Sequence, residues 1–334
     1  MPQSTPASLL DRAPEMSGAE MAASLVPPRQ FAEATLESYR PDPDFPSQAE
    51  AVAKVRAFAE SMTGGGRGFF GRRKGPDAKP GIYLDGGFGV GKTHLLAALW
   101  RLAPGRKYFG TFIEYTALVG ALGYAQAVQL LTGASLVAID EFELDDPGDT
   151  MMMTRLLGEL AATGTRIAAT SNTPPNALGE GRFAAIDFLR EIQALSDRFD
   201  IVRIDGLDYR RREVEGHAAV TAEDGLETAL GELAAPTTLD DFDPLLRHLS
   251  RVHPSRYVRI VAGLGGVGLR GVHTLTDQAD ALRFVAFVDR LYDEQVPVRA
   301  SGTPLDEVFG EEMLVGGYRK KYLRAISRLI ALTS

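Results

Sequence analysis

Three places in this chain carry residues whose type and spacing could do chemistry, each at the end of a short apolar run. The first is Ile82-Tyr83-Leu84-Asp85, which leads into Gly86-Gly87-Phe88-Gly89-Val90-Gly91-Lys92-Thr93-His94. This is Gly-x-x-x-x-Gly-Lys-Thr, the pattern of a phosphate loop joining a buried strand to a helix. Its glycines let successive backbone N–H groups turn toward one anion. The helix after Gly91 points its positive end at the same place. Lys92 adds a point charge for β- and γ-phosphates, and the Thr93 hydroxyl is the expected magnesium ligand. Residues 86–94 are thus expected to hold ATP, with His94 packing in the first helical turn.

The second place is Leu136-Val137-Ala138-Ile139-Asp140-Glu141-Phe142. Two acids closing a buried strand are costly unless a cation or a function compensates. Asp140 is expected to help bind nucleotide by holding Mg2+, and Glu141 to orient and deprotonate the attacking water. The third is Thr170-Ser171-Asn172. A neutral amide at a strand end can hold the lytic water or a γ-phosphate oxygen without adding negative charge. Two arginines compete for the role of a finger that meets transition-state charge from a neighbouring subunit. They are Arg198, in Leu195-Ser196-Asp197-Arg198-Phe199, and Arg182, in Gly179-Glu180-Gly181-Arg182-Phe183.

These groups need a scaffold. Short apolar runs at 82–85, 108–113, 136–139, 166–170 and 201–204 alternate with helical patterns, which is the mark of a parallel sheet covered on both faces. The expected fold is α/β, a three-layer P-loop nucleoside triphosphatase with a smaller, mixed and mainly helical C-terminal domain. Residues 1–28, rich in Ala, Ser and Pro, read as a flexible leader, 29–210 as the nucleotide-binding domain and 211–334 as a lid-like domain. Gln48 stands at the start of a helix, where it either reads adenine or is exposed. Residues 63–79 form a Gly/Arg/Lys loop of open role. In the last domain, Tyr257–Val261 and Val267–Val272 are expected to pair as a hairpin. Arg283, Arg324 and Arg328 are candidates to report the γ-phosphate to that domain.

Bulk composition narrows the function. Cysteine is absent from the 334 residues, which removes disulfides and thiolate metal sites and fits a reducing compartment. No apolar run reaches the roughly 18 residues of a membrane span, and the N-terminus lacks the basic start and apolar stretch of a secretory signal. A cytoplasmic protein is expected, with peripheral attachment to the inner membrane left open. The net charge of −8 does not favour a general polyanion binder, so nucleic acid is not expected as a partner, although a local basic patch is compatible with that charge.

Several separated blocks resemble the AFG1-like ATPases, a branch of the AAA+ superfamily. They are Asp140-Glu141-Phe142, the block from Thr170 to Leu178, Asp208-Tyr209-Arg210, Arg283-Phe284 to Leu291-Tyr292-Asp293, and Ser327-Arg328-Leu329. The resemblance runs from about residue 30 to the end of the sequence. It implies ATP hydrolysis that remodels a protein partner in a homo-oligomer, a hexamer by family likeness. For bacterial members it implies the tubulin-like cell-division protein FtsZ, met peripherally at the inner membrane. By the match of blocks, Lys92, Thr93, Asp140, Glu141 and Asn172 carry the hydrolytic roles. Two departures stand out. Asp187 precedes Phe188-Leu189 where many members have arginine, and Ser196-Asp197-Arg198-Phe199 looks like the arginine box of initiator and clamp-loader relatives. A helicase loader, whose phosphate loop often continues Gly-Lys-Thr-His-Leu, is the alternative.

Overall fold

The computed structural model describes residues 7–12, 15–63, 79–144, 147–175, 178, 193–194, 196–207 and 216–334. Two compact units share them. One comprises Ser17–Pro27 and Phe31–Tyr209, and the other Met1–Met16, Pro28–Gln30 and Arg210–Ser334.

The first unit is built on five parallel strands. They are β1 (Gly81–Gly86), β2 (Lys107–Thr111), β3 (Leu136–Asp140), β4 (Arg166–Ser171) and β5 (Phe199–Ile204), in the order β2-β3-β4-β1-β5. The helices described with them are α1 (Gly18–Ala23), α2 (Pro46–Thr63), α3 (Lys92–Leu102), α4 (Phe112–Leu122), α5 (Tyr124–Leu131) and α6 (Pro147–Ala162). Strands β1 and β3 are buried throughout, as their unbroken apolar runs require when both faces are covered. Side-chain alternation splits β1 between two cores. Ile82 and Leu84 join Val55, Leu95, Leu96 and Leu99 of α2 and α3 on one face. The Tyr83 ring turns to the other face, edge-on to Phe142 and Phe199. Parallel pairing brings Asp85 opposite Ser171 of β4 and Arg203 of β5, so the exits of β3, β4 and β1 share one edge of the sheet.

The second unit has its own parallel sheet of β6 (Thr237–Asp241), β7 (Gly266–Val272) and β8 (Val298–Gly302), in that order. Its helices are α7 (Leu226–Gly231), α8 (Phe242–Leu249), α9 (Tyr257–Val261), α10 (Gln278–Asp293) and α11 (Arg319–Thr333). The expected hairpin is therefore wrong. Residues 257–261 are helical, with Tyr257, Ile260 and Val261 turned into the core, a spacing that suits a helix as well as a short strand. Strand β7 pairs with β6 and β8 instead.

The described residues of the N-terminal segment, 7–12 and 15–28, do not form a free leader. Ala7 bridges Thr238 of β6, Leu9 is fully buried in the second unit's core, and Asp240 accepts from the Ser8 hydroxyl at 2.5 Å and the Leu9 N–H at 2.9 Å. Ser17 and Glu20 then form a capping box that starts α1. The Leu25 carbonyl accepts from the Phe109 N–H of β2 at 2.9 Å. Composition suggested disorder, but two buried leucines, a bridge to β6 and a backbone hydrogen bond from β2 anchor the segment in place.

Within the second unit, Asp289 of α10 is 9% exposed and meets two buried guanidinium groups from α11. Arg324 donates to Oδ2 at 2.7 Å, and Arg328 donates to Oδ1. Burial by itself would raise the Asp289 pKa, but the positive charges of Arg324, Arg328 and Arg290 hold it below its ordinary value. This contribution to stability is fully present above the ordinary carboxylate pKa of 3.8 and is lost as pH falls through the lower folded value. Asp289→Ala leaves two guanidinium groups buried without their counter-charge, and is expected to cost about 3–5 kcal/mol of unfolding free energy. Urea denaturation followed by circular dichroism reads that loss. A triple apolar replacement of Asp289, Arg324 and Arg328 is expected to recover most of it, because no unpaired charge then remains buried.

Candidate nucleotide site

The loop leaving β1 is bent by Gly89 at φ 71° and Gly91 at φ 82°, in the left-handed region that glycine enters without a Cβ penalty. Gly91 is restricted twice over, since a Cβ there would stand 2.5 Å from the Tyr39 ring. The Tyr39 hydroxyl donates to the Val90 carbonyl at 2.7 Å. Burial pushes its pKa up to about 12, which keeps it protonated as a donor. The loop is thus clamped from outside by a residue far upstream of the motif.

Lys92 opens α3 with its ammonium folded over this loop. It donates to the Gly86 carbonyl at 2.9 Å, to the Gly87 carbonyl, and to Oδ1 of Asn172 at 2.8 Å. Asn172 reaches it because β4 neighbours β1 and ends one residue earlier, at Ser171. One residue further along α3, the Thr93 hydroxyl donates to Asp140 Oδ2 at 3.0 Å. The Asp140 carboxylate, 6% exposed, also accepts from the Thr170 hydroxyl. The same Thr170 oxygen receives the Glu141 N–H at 3.1 Å, and its carbonyl takes the Phe142 N–H at 2.7 Å. Glu141 sits at φ 52°, a costly conformation for a residue with a Cβ. The turn is held there by the two hydrogen bonds to Thr170 and by the buried Phe142 ring, edge-on to Tyr83 and Phe112.

Lys92, Thr93, Asp140, Glu141 and Asn172 therefore converge at one sheet edge. The Thr93 hydroxyl and Asp140 carboxylate are hard oxygen donors side by side, a set that suits Mg2+. The sequence reading missed Thr170 and Tyr39. A hydroxyl in the apolar run of β4, one residue before its end, was the signal for the first. The second left none, as its contact depends on tertiary packing.

Other candidates lie elsewhere. The His94 ring turns away from the loop, with Nε2 within 2.8 Å of the Thr35 carbonyl and 3.0 Å of the Ser38 hydroxyl, which leaves its backbone as the part able to meet a nucleotide. Gln48 is buried and its amide is spent on backbone, accepting from Asp42 N–H at 2.8 Å and donating to Asp205 O at 2.9 Å. It is not exposed, and its amide is committed to these two backbone groups. Arg198 precedes β5 at the opposite sheet edge from the phosphate loop, its carbonyl accepting from Gly81 N–H at 3.0 Å, and its half-buried guanidinium lies against Gly158 of α6. Arg182 and the blocks at 64–78 and 208–210 lie outside the described residues. Arg283 pairs with Asp280 of its own helix at 3.0 Å, and Arg324 and Arg328 are committed to Asp289. None of the described residues forms a helix long and apolar enough to cross a membrane.

The model of the family described as AFG1-like ATPase matches residues 16–228 and 221–334. The cell division protein ZapE of Escherichia coli (strain K12) is 27% identical over 372 aligned residues, covering 93% of this chain and 96% of that one. Among solved structures, the replication initiator DnaA bound to AMPPCP and single-stranded DNA is 15% identical with a TM-score of 0.41, covering 78% of this chain and 81% of that one. The DnaC helicase loader is also 15% identical, with a TM-score of 0.37 and coverage of 53% and 99%. Against the expectation that nucleic acid is no partner, one of these similar structures holds single-stranded DNA. The chain belongs to the AFG1-like ATPase family, and with that membership it is an ATP-hydrolysing enzyme.

Thr170→Val removes a donor to Asp140 and the acceptor for Glu141 N–H while preserving shape. Turnover is expected to fall by about ten- to a hundredfold, as loss of about 1.4–2.7 kcal/mol of barrier lowering requires. Nucleotide affinity should stay within about threefold. Steady-state hydrolysis and equilibrium binding of a fluorescent ATP analogue, run on the same preparation, separate the two.

Proposed function

We propose that this AFG1-like ATPase binds ATP with Mg2+ and couples its hydrolysis to work on a macromolecular partner, nucleic acid or protein. The observation that carries the reading is the meeting of Lys92, Thr93, Asp140, Glu141 and Asn172 at one edge of the parallel sheet. The N–H groups of residues 86–94 cradle the phosphates. Lys92 exchanges its bonds to the Gly86 and Gly87 carbonyls for phosphate oxygens, while Asn172 keeps its ammonium in register. Thr93 and Asp140 hold Mg2+, which supplies charge neutralisation at the phosphates. Glu141, fixed by its left-handed backbone, takes the proton of the attacking water. Asn172 is close enough to Lys92 to hold that water or a γ-phosphate oxygen once Lys92 turns to the nucleotide. Arg198 stands away from its own chain's loop, so as a finger it serves the nucleotide of a second copy.

Two readings of the partner follow. A nucleic acid is favoured by an arginine-rich stretch in the second unit that contains no acid, from residue 244 to 276. A component of the division machinery is favoured by likeness to a cell division protein over nearly the whole chain. Hydrolysis measured with Mg2+ across a range of protein concentrations, alone and with DNA or FtsZ polymer, tests both. Glu141→Gln is expected to retain ATP and lose at least about a hundredfold in turnover, the usual weight of a general base. A wild-type chain without Mg2+-dependent hydrolysis would sink the proposal. Arg198→Ala is expected to abolish any rise of specific activity with concentration while leaving ATP binding intact. A flat profile in the wild type removes Arg198 from the mechanism.

A further inference from the structure

In a chain of net charge −8, the thirty-three residues from Pro244 to Thr276 contain no Asp, Glu or Lys and five arginines, at 247, 251, 256, 259 and 270. Folding sorts these arginines. Arg270 on β7 pairs with Glu227 at 2.9 Å. Arg247, Arg251 and Arg256 have no ion-pair partner among the described residues. Arg247, Arg251 and Arg259 are exposed, and Arg256 is half-buried.

The local structure explains why they face outward together. Helix α8 spends its apolar positions Phe242, Leu245, Leu246 and Leu249 on the core, and α9 does the same with Tyr257, Ile260 and Val261. At 3.6 residues per turn, position 247 of α8 and position 259 of α9 fall on the outer side, and Arg251 stands exposed in the turn that follows α8. Two contacts tie the helices into one surface. The Tyr257 hydroxyl donates to the Leu249 carbonyl at 2.7 Å. Arg12 joins both helices, donating to the Ile260 and Ala262 carbonyls at 2.6 and 3.1 Å while its own carbonyl lies 2.9 Å from Nε2 of His248. Two of the flanking carboxylates are occupied, Asp243 by His273 at 2.7 Å and Asp280 by Arg283 at 3.0 Å, while Asp241 and Asp277 are exposed. With a Debye length of about 8 Å at physiological salt, the acids elsewhere in the chain are largely screened from this face.

We propose that the outer face of α8 and α9 docks the phosphate backbone of duplex DNA. This deepens the nucleic-acid reading given above and rests on it. The charge is carried entirely by arginine, whose planar fork matches phosphate oxygens in a way that lysine does not. The patch exposes no large apolar side chain, and Val252 and Val258 are half-buried, so it lacks what an interfacial helix inserts into a bilayer. It also lacks an exposed aromatic ring, since Tyr257 is fully buried. A stacking platform for single-stranded bases is thereby missing. Recognition is through the backbone, and so independent of sequence.

The test is fluorescence anisotropy of labelled duplex DNA with the full chain over a range of salt, for wild type, Arg247→Glu/Arg251→Glu and Arg247→Lys/Arg251→Lys. Each phosphate contact contributes about 0.9 to the slope of log affinity against log salt. Charge reversal at two positions is therefore expected to flatten that slope by about 2 and weaken binding at least about tenfold at low salt. The lysine pair should keep the slope, with weaker binding. Neither position is among the residues assigned to nucleotide binding or hydrolysis, so basal ATP hydrolysis and the circular dichroism spectrum should match wild type. A wild type that does not bind duplex at low salt overturns the proposal, as does a reversed variant that binds equally well. Displacement of DNA by anionic vesicles or polyglutamate at matched charge also overturns it, in favour of a membrane or an acidic protein. Absence of basal hydrolysis in the wild type would count against the ATPase reading alone and would leave the anisotropy result standing.

Discussion

The site is organised by a carboxylate that must sit almost out of water at the end of β3. Removing Asp140 from solvent is costly unless its oxygens are satisfied, and the chain satisfies them with two hydroxyls, Thr93 from α3 and Thr170 from β4. Those bonds fix three elements against one another at a single point. They bring the start of the phosphate-loop helix to the end of β3 and place Thr170 where it also takes the N–H of Glu141. The left-handed turn at Glu141 follows. Hydroxyls compensate a charge without neutralising it, so a negative charge stays beside the phosphate loop.

The second unit solves the same problem in the opposite way. Asp289 is buried to a similar degree, but two guanidinium groups meet it. Positive charge exceeds negative there and no cation is called for. The contrast separates the two kinds of buried acid on physical grounds. Asp140 keeps its negative charge among hydroxyl donors, and Asp289 locks α10 to α11. It also withdraws Arg324 and Arg328 from any role at a phosphate, since moving either one would leave charge unpaired inside the fold.

Overall charge proved a poor guide to surface charge. A net value of −8 conceals exposed arginines on α8, in the turn after it and on α9, because acids and bases are segregated along the sequence rather than mixed. What decides attraction for a polyanion is the local field within a few ångströms of the surface, and the global sum says little about it.

The sequence by itself determined the phosphate loop, the acid pair after an apolar strand, the polar strand end at Asn172 and the parallel α/β layering. Each of these is local: a motif, or a period, that the backbone must express wherever it folds. Tertiary structure alone decided the rest. Two leucines anchor a segment whose composition suggested disorder, and residues 257–261 become helix because their apolar side chains meet the core of the second unit. Gln48 is drawn inward by the carbonyl of Asp205, 157 positions away. Tyr39 closes on Val90 across 51 positions. Such contacts join residues distant in the chain, and no window of sequence holds both partners. Their energies exist only after the fold has brought them together.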